Sequence, residues 1–444
     1  MKQSKQSGST FNFSEDAPYD RKLLSELKVV HPPYHDPSHQ RSYQKRLNNW
    51  DSKWENVLEF KCDKSYQELQ TQGKKYLSMK RDKIANISEE FDQKFAGKSA
   101  NPFTSRFKSS DGKTLLVYFG VQHPEKQDKI RHVSMTPTME ELEIFRENGT
   151  KLYENGLSKT LQYKNWIATQ ELMACLPQDR VDPNDRRHMF DNKNLQRSYY
   201  HYHKGPDGLG PDQGEPKGTV HIVTCWPQKG HPHDPMTPSK SHSARAGCGI
   251  AIETWYESSV EVNDFLGAIF KKEFPEEYPR FLKAHKAARW RKSDPGPYVG
   301  KVVIWKLSGS PHIDQGDPCP TATFGLGCFE GGNMEILDIG VKLAYAPGHI
   351  VIGWTSFLCH RVTDWTDRLP CGEEKSLMVN NLLSPGRVAV VSFFPCNAFD
   401  QLEGKPPGWG KRSQWGLRTI MNGELDMNES EEMDQDECED GETD

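Results

Sequence analysis

The chain has no apolar run near the roughly 18 residues that a membrane-spanning helix needs. Mean hydropathy is −0.80, so a buried bilayer segment is not expected. The segment from Met1 to Thr10 has no apolar stretch, which argues against export. No Cys-x-x-Cys pair occurs among the ten cysteines. In the soluble intracellular protein that these absences predict, they read as free thiols. Cys225 with His231 and His233 lacks a second ligand pair at zinc spacing, and a surface loop rich in Pro and Gly is the simpler reading. Internal repeats and heptads are absent too, which excludes solenoids and coiled coils.

Positive charge is missing from residues 424–444, which carry twelve Asp and Glu. Without them 57 basic residues face 50 acidic ones, turning the net charge from −5 to +7. A basic body with an acidic tail suits a protein that binds a polyanion.

The pattern along the chain predicts a disordered amino-terminal stretch, 1–20, and a helical region, 21–100. In the latter, Tyr43, Leu47, Trp50, Trp54 and Leu58 recur at helical spacing. Residues 101–294 read as a mixed α/β region. It holds strands at Lys113–Phe119, Thr219–Cys225 and Ala251–Tyr256, and helices at Thr138–Asn148, Ala168–Cys175 and Glu261–Lys292. An insertion at about 176–245 interleaves Arg186, Arg187, Arg197 and Lys204 with Tyr199, Tyr200 and Tyr202, a combination that can grip phosphates and stack on bases. The basic end of the last helix, Lys283 to Lys292, is a second candidate phosphate contact. Residues 295–420 form the expected core region, with a period of two and frequent turns from Gly300 to about Phe394, and 421–444 form an acidic, disordered tail.

Within 295–420 stands His312-Ile313-Asp314, with His360 48 residues after His312. Two imidazoles and one carboxylate are the ligands of the facial site that holds non-haem Fe(II) and leaves one face of the ion open. His312 and Asp314 are two apart, so on a strand they share a face. Pro385-Gly386 opens an apolar, β-branched run, Arg387–Phe394, with a guanidinium at its start that can take a carboxylate as a two-point pair. Arg361 must point away from His360 on the same strand, and Arg368 lies in a polar loop, which leaves it as the reserve. His349, directly after a Pro-Gly turn, is the weaker alternative to His360.

This ordered set, over about residues 295–398, resembles the Fe(II)/2-oxoglutarate dioxygenase superfamily. The segment Gly327–Ile336 and the acidic tail resemble the TET/JBP branch, its fungal members in particular. The resemblance implies an α+β fold with a double-stranded β-helix (jelly roll) as catalytic core, flanked by helices and long insertions. It implies His312, Asp314 and His360 as metal ligands and Arg387 as the partner of the distal carboxylate of 2-oxoglutarate. Fe(II), 2-oxoglutarate and O2 are then the reactants beside the substrate. The gap of 27 residues from His360 to Arg387 is longer than is usual in the superfamily.

The expected activity is oxidation of 5-methylcytosine in DNA to 5-hydroxymethylcytosine and beyond, after extrusion of the base. An N-methylated base such as N6-methyladenine, a protein side chain or a small molecule is the alternative. Asp338 and Asn333 are the candidate substrate contacts, Asp338 on condition that Met334–Ile339 is a strand whose face it shares with Met334 and Ile336. The expected partner is methylated duplex DNA, with no membrane, and the expected state is a monomer in the nucleus.

Overall fold

The computed structural model describes residues 57–79, 81–123, 155–175, 218–227, 233–239, 248–289, 293–305, 309–368 and 386–413, with Trp54, His231, residues 241–242, Arg291 and Trp415 besides. The expected helix at 138–148, nearly all of the basic and aromatic insertion, the amino-terminal stretch and the acidic tail lie outside the described residues.

The elements in chain order are β1 (Leu58–Lys61), α1 (Tyr66–Ser78), α2 (Arg81–Lys94), β2 (Ser105–Lys108), β3 (Thr114–Phe119), α3 (Lys159–Cys175), β4 (Gly218–Val223), α4 (Cys248–Glu273) and α5 (Tyr278–Ala288). There follow β5 (Gly300–Trp305), β6 (Gly309–His312), β7 (Thr321–Gly331), β8 (Met334–Ile336), β9 (Val341–Leu343), β10 (Ile350–Gly353), β11 (His360–Val362), β12 (Trp365–Asp367), β13 (Gly386–Phe393), α6 (Cys396–Leu402) and α7 (Trp409–Ser413). Among the described residues the fold is α+β, with two sheets. The larger has nine strands in the order β1-β2-β3-β10-β7-β13-β5-β4, with β12 paired to β7; the smaller has four in the order β6-β11-β8-β9. The large sheet therefore crosses the boundaries expected near 101 and 295, drawing strands from both sides of each.

Alternation along the strands of the large sheet gives each face its character. Val220 and Ile222 of β4, Val303 and Trp305 of β5, Phe324 and Leu326 of β7, and Val388 and Val390 of β13 join one apolar core with Phe265, Leu266 and Ile269 of α4. The residues between them in sequence must face the other way. These are His221, Val302 and Ile304, Thr321 and Thr323, and Arg387, Ala389, Val391 and Phe393, and all of them line one cavity.

Three local expectations fail for identifiable reasons. Ala251–Tyr256 is part of α4, not a strand. Ile252, Trp255, Tyr256, Val262, Phe265, Leu266, Ile269 and Phe270 are all buried, and their spacing of three and four makes a helical face that outweighs the β-branched and aromatic content. The expected helix 261–292 is two helices, because Pro275 disfavours helical geometry at Phe274 and Pro279 then opens α5 near its first turn. Leu58 lies on β1, which pairs in parallel with β2, instead of ending a helical stripe. At the start of α1, Ser65 and Glu68 form a reciprocal capping box.

Candidate metal centre

The site begins with a backbone pairing. β6 and β11 are antiparallel neighbours, and His312 and His360 are direct partners across the ladder. Their rings stand 4.3 Å apart between centroids. Asp314 follows β6 in a turn tied down at both ends of its peptide: its N–H donates to Thr355 O at 2.9 Å, and its carbonyl accepts from Asp317 N–H at 3.1 Å. This brings Asp314 Oδ1 to 3.7 Å from His312 Nε2, and Oδ2 to 3.7 Å from His360 Nε2. Among the described residues this is the one group of three or more His, Cys, Asp or Glu side chains whose ligand atoms converge, all within 4.8 Å of one another.

Both imidazoles are oriented by their other nitrogen. His312 Nδ1 lies 2.6 Å from Ser310 O and His360 Nδ1 lies 3.0 Å from Leu358 O. A carbonyl only accepts, so each Nδ1 carries a proton, and the nitrogen that faces Asp314, with its lone pair free in the neutral ring, is Nε2. This is the outer-shell arrangement that metal-ligating histidines use. Metal–ligand bonds of about 2.1 Å would place neighbouring donors about 3 Å apart, so the donors would have to draw closer around an ion. The donor set fits a divalent first-row metal with open positions.

The cavity beside the triad has a volume of about 510 Å³, within the roughly 300–1,000 Å³ of small-molecule sites. The triad, Met334 and Val362 come from the small sheet and its turn; the cavity-facing side of β4, β5, β7 and β13 forms the opposite wall. Arg387 is 2% exposed and sits with its guanidinium 5.1 Å from the centre of the Tyr345 ring and 5.6 Å from that of Phe329. Tyr345 shares a 2.5 Å hydrogen bond with Thr323, and burial pushes its phenol up to about 12. Its hydroxyl thus keeps its proton across the physiological range. A guanidinium with two neighbouring hydroxyls suits a carboxylate. At another part of the wall His221, Trp226 and Phe393 stand together, His221 5.9 Å from Trp226 and 6.2 Å from Phe393 between ring centres.

The other candidates are placed elsewhere. Asp338 does not share a face with Met334 and Ile336, because the strand stops at Ile336 and Leu337–Ile339 form a 3-10 turn closed by Gly340 in the left-handed region. Asp338 points out of the cavity and accepts hydrogen bonds from Cys359 N–H at 2.6 Å, from Gln72 Nε2 at 2.5 Å and from the Tyr76 hydroxyl. Burial raises its pKa above the usual carboxylate range. Asn333 lines a different depression, with Arg368, Lys159 and Phe329. Neither candidate substrate contact borders the triad's cavity. Arg361 faces away from it, paired with Glu335 at 2.5 Å. His349 is a core histidine, 2.6 Å from the Tyr118 hydroxyl and 2.5 Å from Ala344 O. Cys225 is buried while His231 pairs with Asp234 on the surface.

The wall residues His221, Trp226, Thr323 and Tyr345 were not legible as site residues. The one usable signal is alternation: His221 is the polar residue between the apolar Val220 and Ile222, on the face it shares with Thr219.

No known protein-family model matches the chain, and no curated protein matches it. Among solved structures it is similar to NgTET1 in complex with 5mC DNA, at 12% identity over 74% of this chain and 94% of that chain, with a TM-score of 0.35. It is also similar to OsALKBH1, at 15% identity over 32% of this chain and 63% of that one, with a TM-score of 0.21. Among the described residues no helix is long and apolar enough to cross a membrane.

Proposed function

We propose that this chain is an Fe(II)- and 2-oxoglutarate-dependent dioxygenase that oxidises the methyl group of 5-methylcytosine in DNA. The observation that carries the reading is the sharing of one cavity by the His312–Asp314–His360 triad and the buried Arg387. On this reading the two sheets are the halves of a double-stranded β-helix with its mouth at the triad.

His312 and His360 would hold the iron through Nε2, and Asp314 through its carboxylate. Bound there with 2-oxoglutarate and O2, iron would supply the oxidising power for a C–H bond, at the expense of converting the oxo acid to succinate and carbon dioxide. Arg387 takes the distal carboxylate of 2-oxoglutarate, and the Thr323 and Tyr345 hydroxyls orient it. The aromatic wall of His221, Trp226 and Phe393, with Ile304 and Val391 between, offers flat apolar surface to a planar ring. That favours a base over an extended protein side chain. A base in duplex DNA reaches such a cavity only after leaving the stack. The basic body supports a polyanion partner, a monomer is sufficient because the cavity is built from one chain, and a nuclear location goes with the substrate.

The test is mass spectrometry of nucleosides from methylated duplex DNA after incubation with the protein, Fe(II), ascorbate and 2-oxoglutarate. Hydroxymethyl, formyl or carboxyl cytosine, absent without 2-oxoglutarate, is the expected result. Oxidation of N6-methyladenine alone would move the substrate to an N-methylated base. Succinate release without any oxidised base would keep the iron site and discard the nucleic-acid substrate.

A further inference from the structure

The small sheet is gripped from outside by the two amino-terminal helices, and the grip falls on the residues that flank the ligands. Cys359, directly before His360, has both peptide groups engaged: its N–H donates to Asp338 Oδ2 at 2.6 Å, and its carbonyl accepts from Leu337 N–H at 2.9 Å. Asp338 Oδ1 accepts in turn from Gln72 and Tyr76, both on α1. Arg361, directly after His360, donates through Nε to Glu335 at 2.6 Å and through its terminal nitrogens to Ser88 and Asp92 of α2. Ile313, between His312 and Asp314, packs against an apolar cluster of Tyr76, Phe91, Leu337 and Cys359. At Gly73 of α1 an added Cβ would lie 2.5 Å from Phe357 Cβ, so the helix approaches the segment before His360 more closely than any larger residue permits.

These contacts come from three independent kinds of interaction: a carboxylate relay, an arginine fork and apolar packing. All converge on the peptide neighbours of His312, Asp314 and His360. The cluster they form is separate from the core of the large sheet.

We propose that α1 and α2 are a working part of the metal centre, with Asp338 and Arg361 as positioning residues that fix the peptides on either side of His360. Docking of the helix pair then sets the metal affinity of the triad. This rests on the reading of the triad as a metal site and is independent of which substrate is oxidised.

The test titrates Co(II) into the full-length apo-protein, followed by visible absorption, for the parent and for Asp338→Asn, Arg361→Gln and Tyr76→Phe. Hydrogen exchange at 357–362 is measured alongside. Glu273→Gln is the control, since Glu273 is buried and paired with Arg106 and Trp54 away from the triad. Asp338→Asn and Arg361→Gln should weaken Co(II) binding roughly ten- to a hundredfold, the range for lost outer-shell partners. Tyr76→Phe, the mildest change, should weaken it less, and exchange at 357–362 should speed up in all three. Glu273→Gln should lower the melting temperature and leave Co(II) affinity unchanged. Parental affinity in the three variants, or an equal loss in Glu273→Gln, overturns the proposal. A His312→Ala protein that binds Co(II) as tightly as the parent would instead discard the metal site itself.

Discussion

The two sheets that enclose the cavity are stabilised in different ways. The large sheet is a broad ladder backed by α4, and Arg387 is carried on β13, one of its central strands, between β7 and β5. The small sheet has four strands of three or four residues and carries His312 and His360 of the candidate triad. Strands this short gain little from their own hydrogen bonds, so their geometry depends on what packs outside them. The cavity thus lies between a broad wall and a smaller one, which packs on the main core through Met334, Ile336, Val341 and Leu343 and on α1 and α2 through Leu337 and Cys359. Local opening free energies differ within one protein for this kind of reason.

The largest effect should come from breaking the small wall at its ligands. His312→Ala, Asp314→Ala or His360→Ala should abolish turnover and metal binding while circular dichroism shows the fold intact. Full activity in any one removes that residue from the ligand set. Next comes the broad wall. Truncating one partner of a buried charge pair costs about 2–5 kcal/mol, so Arg387→Ala should raise the 2-oxoglutarate KM at least about 30-fold. Arg387→Lys should recover only part of this, because an ammonium cannot reproduce the two-point fork. An unchanged KM in both would move the carboxylate site away from β13.

A smaller change is expected on the aromatic surface. Stacking of a base on an aromatic side chain contributes about 1–3 kcal/mol, so Trp226→Ala should raise the KM for DNA with less effect on kcat. Equal loss in kcat alone would assign Trp226 to packing.

The smallest effect concerns stability, on the helix-facing side of the large sheet. Lys301 is buried against Asn263 at 2.6 Å and Ser392 at 3.3 Å, and burial lowers its pKa to about 8 from 10.5. Below about pH 8 folded and unfolded chains both carry the ammonium, and the folded state bears its desolvation. Above 10.5 both are neutral and that cost is gone. Lys301→Met should therefore be more stable than the parent at neutral pH. The advantage should shrink as pH rises from about 8 to 10.5, read from melting temperatures. An advantage that does not change with pH would mean that packing, not charge, sets the difference.

What the sequence disclosed, and what it hid, follows the same division. The convergence of His312, Asp314 and His360 could be read from His-x-Asp and a distal histidine, although Asp314 reaches the group from a turn after β6 and not from the strand that period two assumed. Asp338 was misplaced because a 3-10 turn replaced the last residues of a strand, a change of face that alternation alone does not register. The wall at His221 and Trp226 is assembled from β4, far from the triad in sequence, through pairing with β5. Such pairing is decided by tertiary packing, and no local pattern encodes it. The misread strand at 251–256 has the same cause, since its apolar residues satisfy a helix as soon as the sheet lies beneath them.

The direct pairing of His312 with His360 has a consequence for how this protein can vary. The separation of the two imidazoles is fixed by the rungs of a β-ladder, so the length of chain between them is mechanically irrelevant to the pair. Loops between β6 and β11 can lengthen, shorten or acquire new binding surface without moving one histidine relative to the other. β11 and β13 lie in different sheets, so the place of Arg387 relative to His360 is set by how the two sheets pack, and the long gap between them leaves room for insertion.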